Sequence, residues 1–241
     1  MEIAKIDGGF DDRIVLLEEK GKSVRKIVVF DSGQGGELFA DKLESEIPVV
    51  EVIRVIDWRD SERILKNPRA ARRAAEMALR PYIGGVDLIV FANQLLTLTS
   101  LRYFKKKYKN QAFVGLGLEN PRVAKKPTVI FTTNAVKKTI YYRCYLLKMR
   151  GRIFTICMDE WPDMIDEGEL TRVDARDRMK DYLAEIGSKP GRVILGCSHF
   201  GELKDDIREV FGGNVKICDD VDETIRRACK ILRLRGLKKR K

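Results

Sequence analysis

The reactive spacing that stands out in this sequence is a cysteine two residues before the only histidine, in Leu195-Gly196-Cys197-Ser198-His199-Phe200. An imidazole at that distance can hold a thiol as thiolate or act as its acid-base partner. Read structurally, the pair is a core cysteine beside a capping histidine. A second segment, Asp31-Ser32-Gly33-Gln34-Gly35-Gly36, combines a carboxylate and a hydroxyl with glycines that let backbone amides approach an anion. Its spacing fits neither GxGxxG nor a P-loop, so a nucleotide has no motif here. Its structural reading is a capped turn with Asp31 as the N-cap. A third segment, Val90-Phe91-Ala92-Asn93-Gln94, places Asn93 where it can bind a substrate carboxylate or amine.

All three segments follow short apolar runs, and the runs alternate with segments of helical period. Strands are expected at 26–30, 49–57, 87–93, 112–117, 128–133, 152–158, 193–197 and 215–218. Helices are expected at 37–47, 68–83, 98–108, 136–149, 175–186, 203–211 and 223–234. This pattern predicts an α/β protein with largely parallel sheets flanked by helices on both faces. Ligands of such sheets bind beyond the carboxyl ends of the strands, which is where the three segments fall. Pro121 and Lys125-Lys126-Pro127 mark a hinge before a second lobe. Asp87 to Gln94 and Arg192 to Phe200 echo one another, each an apolar strand followed by small and polar residues and a helix. Residues 1–23 form an N-terminal extension whose run Ile14 to Leu17 can add an edge strand or hairpin.

The 241 residues suit one large domain or two lobes, and 44% hydrophobic with 34% charged residues is a globular balance. No apolar run reaches the roughly 20 residues of a membrane span, and the start lacks a signal-peptide pattern, so a cytoplasmic protein with no membrane partner is expected. Five cysteines without a CxxC pair argue against disulfides and zinc. Cys144 and Cys157 read as core positions of the second lobe, and Cys218 and Cys229 as packing near the end. The net charge of +11 raises nucleic acid as a partner, but its main clusters read as solvated helix faces and a basic C-terminal end.

Together the three segments resemble the glutamate racemase family, within the wider aspartate/glutamate racemase superfamily. Phe30 to Gly36 matches the family's DSGxGG turn, and Leu195 to Leu203 its LGCTHFPLL, while 92–94 stand where the family has CNT. Weaker echoes are Gly117 to Pro121 (GVIEPA), Phe131-Thr132-Thr133 (AT), and Trp161-Pro162 through Asp166-Glu167-Gly168 (VPLVExG). The resemblance implies two pseudosymmetric α/β lobes with the ligand site between them. The first lobe would comprise 24–120 plus 203–241, and the second 121–202. It also implies a cofactor-independent racemase, needing neither pyridoxal phosphate nor metal, that supplies D-glutamate for the cell wall. Cys197 would be the second-lobe acid/base, His199 its support, and Asp31 a catalytic partner. Ser32, Asn93, Gln94, Ser198 and Thr132 would bind a small acidic amino acid or related carboxylate. A homodimer is a further expectation.

The sequence departs from the family at two places. Ala92 stands where the first catalytic cysteine is expected, and a methyl group moves no proton. Asp57 to Arg63 replaces the family's DTARxPYG. Inversion needs an acid and a base on opposite faces of a planar carbanion, so Asp31 or water would have to serve the first face. The alternatives are a noncatalytic ligand- or nucleic-acid-binding member of the fold, and a one-cysteine decarboxylase or lyase.

Overall fold

The computed structural model describes residues 24–31, 33–47, 50–56, 68–117 and 126–232. The first sheet contains β1 (Arg25–Asp31), β2 (Val50–Ile56), β3 (Leu88–Phe91) and β4 (Phe113–Gly115), in the order β2-β1-β3-β4 with every pair parallel. The second contains β5 (Thr128–Thr132), β6 (Ile153–Cys157), β7 (Arg192–Leu195) and β8 (Lys216–Asp219), in the order β6-β5-β7-β8, again all parallel. The two orders are the same walk, which is the structural form of the echo between 87–94 and 192–200.

Parallel sheets covered on both faces need strands that are apolar without alternation, and the central strands are IVVF, LIVF, VIF and VIL. The two-residue period then divides them. Ile27, Val29, Leu88 and Val90 enter one core, while Val28, Phe30, Ile89 and Phe91 enter the core on the opposite face. The second sheet divides likewise, with Val129, Phe131, Val193 and Leu195 on one side and Ile130 and Ile194 on the other. Burial of each such side chain contributes about 1.5–3 kcal/mol.

The helices of the first half are α1 (Gly35–Glu46), α2 (Pro68–Leu79) and α3 (Gln94–Lys107). Those of the second are α4 (Asn134–Lys137), α5 (Ile140–Leu146), α6 (Trp161–Asp166), α7 (Arg172–Ile186), α8 (Lys204–Phe211) and α9 (Asp220–Ile231). A 3-10 helix, Ser198–Leu203, precedes α8. Several differences from the sequence reading have local causes. The expected helix 136–149 is two pieces, because Thr139 turns extended and its hydroxyl accepts the Tyr142 N–H, capping a new start. The break turns Cys144 outward, so it is exposed and not core, and Cys157 is half-buried. Helix α3 starts four residues earlier than expected because Asn93 caps it. The N-cap of α1 is Gln34 and not Asp31, and the Gln34 side chain makes no capping bond to the helix.

Ile207, Val210 and Phe211 of α8 pack in the core with Val193 and Leu195, and β8 pairs with β7, whereas α9 packs in a different core. There Val221, Ile225, Ala228, Cys229 and Leu232 join Val114 and Leu116 of the first lobe. In exchange, Leu95 and Leu98 of α3 reach into the second-lobe cluster with Ile130, Val136 and Tyr142. Residues 1–23, most of the hinge at 121–127, and Asp57 to Arg63 lie outside the described residues. No helix among the described residues is long and apolar enough to cross a membrane.

Candidate active site

The carboxyl ends of β1 and β3 meet those of β5 and β7 at the lobe junction. Cys197 leaves β7 through Gly196, whose N–H donates to the Phe131 carbonyl at 2.8 Å. A Cβ at 196 would stand 2.8 Å from that oxygen and 3.2 Å from the Gln94 amide, so only glycine allows the approach. His199 is buried in the first turn of the 3-10 helix, and its Nδ1 lies 3.3 Å from Cys197 Sγ. Its Nε2 lies 3.1 Å from Oδ2 of Asp166, the last residue of α6. The buried Trp161 fixes that helix by packing edge-on to Phe200, with ring centroids 6.5 Å apart. The result is a line of thiol, imidazole and carboxylate, with the ring oriented from both sides.

Asp31 faces this line from the end of β1 and is 2% exposed. Its Oδ1 accepts from Asn93 Nδ2 at 3.0 Å, while the Asn93 Oδ1 accepts the Leu96 N–H at 3.0 Å. The helix cap thereby locks the amide with its NH2 toward the carboxylate. Between the two groups runs the glycine turn. A Cβ at Gly35 would collide with Ser198 Oγ and stand 2.9 Å from His199 Cε1 and 3.4 Å from Asp31 Oδ2. Gln34, with its amide nitrogen turned to Asp166, donates to that carboxylate at 3.0 Å. The glycine-rich segment therefore brings the first lobe directly onto the Cys197-Ser198-His199 turn.

Burial pushes the Cys197 thiol up to about 12. The His199 backbone and the Ser198 side chain pull it down by hydrogen bonding, while the charges of Asp31 and Asp166 push it further up. At neutral pH the resting group is a thiol, a proton donor until a cationic ligand arrives. Alkylation by iodoacetamide at about pH 8 should therefore modify exposed Cys144 first, with Cys197 slower by roughly tenfold or more, because the thiolate is the reacting form. Peptide mapping over time checks this, and equal rates would contradict the burial of the Cys197 thiol.

The other expected site residues have different placements. Gln94 is buried and donates through Nε2 to Asp220 Oδ2 at 3.0 Å, tying α3 to α9, while its Oε1 has no partner. Thr132 is fully buried and its Oγ1 is likewise unsatisfied. Ser198 is half-buried against Gly35. Ala92 is wholly buried, packed in the first-lobe core with Val90, Leu116 and Val221. Ser32 lies outside the described residues. Sequence reasoning misses Asp166 and Gln34, although both stand in the segments that carry the resemblance. A cavity of about 240 Å³ adjoins the junction, lined by Ser198 itself with Leu38, Phe39, Lys42, Gly201 and Asp219. Lys204 bridges Asp219 at 2.5 Å and Asp222 at 2.9 Å there, and Lys42 also pairs with Asp222. Among the described residues no group of three His, Cys, Asp or Glu is placed to hold a metal ion.

Two parallel sheets of identical order, with a Cys–His–Asp line facing an Asp–Asn pair across their junction, define a two-lobed protein of the glutamate racemase fold. The glutamate racemase of Thermus thermophilus, solved in complex with β-chloro-D-alanine, superposes with a TM-score of 0.71 at 22% identity, covering 91% of this chain and 84% of that one. The Francisella tularensis glutamate racemase, in complex with D-glutamate, gives 0.70 at 19%, covering 91% and 85%. In sequence, too, the chain is similar to glutamate racemases. The Aquifex pyrophilus enzyme is 29% identical over 203 residues, 80% of this chain and 78% of that protein. No family model matches the chain.

Proposed function

We propose that this chain is a cofactor-independent isomerase that inverts the α-carbon of an acidic amino acid, glutamate first among them. Cys197 serves one face and Asp31 the other. The observation that carries this reading is the ordered Cys197–His199–Asp166 line opposite a buried carboxylate held by Asn93. The homology to glutamate racemases and the D-glutamate complex of a fold neighbour support the choice of substrate.

In the proposed reaction the Asp31 carboxylate takes the α-proton, and the C–H electron pair moves into the substrate carboxylate as a planar carbanion. The Cys197 S–H then gives its proton to the opposite face, leaving a thiolate beside His199. The enzyme resets when a proton passes from Asp31 through solvent to the thiolate. In the reverse direction the thiolate is the base and protonated Asp31 the acid. The substrate ammonium stabilises both anions and draws the thiol's proton affinity back down. Asn93 positions Asp31, and Asp166 holds the imidazole so that a nitrogen faces sulfur.

The test is chiral chromatography after incubation with each enantiomer of glutamate and aspartate. The wild-type chain should interconvert one pair, and Asp31→Asn should lower that rate by roughly 10²–10⁴-fold, the range for losing a positioned acid-base group. Full activity in Asp31→Asn would remove Asp31 from the role. The core placement of Ala92 favours one second reading, a one-thiol lyase in which Cys197 protonates a single face after decarboxylation. That reading predicts a single product enantiomer from a disubstituted malonate and no inversion of glutamate.

A further inference from the structure

The cations Arg102, Lys105 and Lys106 stand at the three- and four-residue steps that place side chains on one face of α3, and Lys109 follows in the turn just beyond the helix end at Lys107. All four are exposed, and none has a carboxylate partner among the described residues. Their neighbour Lys107 shows the contrast, since it points to the other side, pairs with Glu76 and lies over the Tyr103 ring at 5.4 Å. Helices α3 and α9 both pack against β4 and are tied by the Gln94–Asp220 bond, and the Arg227 charge lies close enough to act on Lys105. Arg227 donates to the Gly117 carbonyl at 3.4 Å, with Glu223 at 3.6 Å its nearest carboxylate, and Lys230 follows one turn later. Loss of solvent around the Lys105 ammonium, together with the nearby Arg227 charge, lowers its pKa. The fold thus holds like charges together with too few anions among the described residues to balance them.

We infer that the α3–α9 face is a binding surface for the phosphate backbone of double-stranded nucleic acid. A row of such cations gains by releasing the counterions condensed on that backbone, whatever its sequence. Duplex is favoured over single strand because base stacking needs exposed rings, and the only large exposed aromatic among the described residues is Tyr141 on α5. Between Thr224 and Lys241 the sequence holds nine Lys or Arg and no Asp or Glu, so the basic character continues past the described end of α9. The surface stands apart from Cys197 and Asp31, and its occupancy is independent of the racemase reading.

Fluorescence anisotropy with a labelled duplex of about 20 base pairs tests the inference, titrated with the full chain from about 50 to 200 mM salt. Binding should weaken by roughly two orders of magnitude across that range, as four or so phosphate contacts require. The variants Lys105→Glu/Arg227→Glu and Lys106→Glu/Lys109→Glu should each weaken it by about tenfold or more. Lys148→Glu/Arg150→Glu, on exposed positions of the second lobe, should leave it unchanged. The inference is overturned by failure to bind in low salt, by equal loss in the second-lobe variant, or by tighter binding of a single strand. It is equally overturned if only replacement of the Lys238–Lys241 cations by glutamine abolishes binding.

Discussion

Cys197→Ala is expected to reduce α-proton exchange on the preferred amino acid by about 10³-fold or more, because it removes the thiol that lies against the His199–Asp166 pair. Cys197→Ser should be nearly as inactive, since a hydroxyl holds its proton far more tightly than a thiol. The fold should survive both changes, because the side chain is half-buried at the edge of the second-lobe core. Asp166→Asn should give a smaller loss, roughly 10- to 100-fold. It leaves the thiol and imidazole in place and removes only the charge that orients the ring. Rates for the three variants, with circular dichroism to confirm folding, check the order. An Asp166→Asn loss equal to that of Cys197→Ala would mean that Asp166 itself handles the proton.

Gly35→Ala should be almost as damaging for a different reason. The added methyl would collide with Ser198 Oγ and crowd His199 Cε1 from the opposite lobe. Neither neighbour can retreat freely, since His199 is held at both ring nitrogens. The lobes must part or the imidazole must leave its line. A loss of about 1–3 kcal/mol in stability follows from overpacking. An activity loss of roughly 100-fold or more follows from displacing the histidine by a fraction of an ångström or more. Gly33→Ala is the control, because a methyl there would meet nothing within 4 Å, and it should stay within about 0.5 kcal/mol of wild type. Urea denaturation and the exchange assay on both variants distinguish contact at Gly35 from a general intolerance of the turn.

Much of this is legible in the sequence, for reasons that the structure makes physical. All eight strands of the described residues are visible because parallel strands buried on both faces read as unbroken apolar runs, and each begins or ends within two residues of the expected position. The positions of Asp31, Asn93, Cys197 and His199 follow from their place at strand ends. What is not legible depends on contacts that no local pattern records. Asp166 meets His199 across 33 residues of chain, and a carboxylate at a helix end carries no mark of such a partner. Gln94 looks like a ligand contact because it follows a strand, yet the Asn93 cap draws it into the helix, where Asp220 claims its amide. Cys144 looks buried if one helix runs through Thr139, and the cap there resets the phase. Strand β8 reads equally well as part of either lobe, because an apolar run does not say which sheet it joins.

The most direct test of opposed Cys197 and Asp31 is proton NMR in D2O with each enantiomer of glutamate, following loss of the α-proton signal and chirality together. Two groups on opposite faces predict deuterium incorporation from either enantiomer, accompanied by inversion and abolished in Cys197→Ala. Exchange of one enantiomer alone without inversion, or of neither, would contradict it.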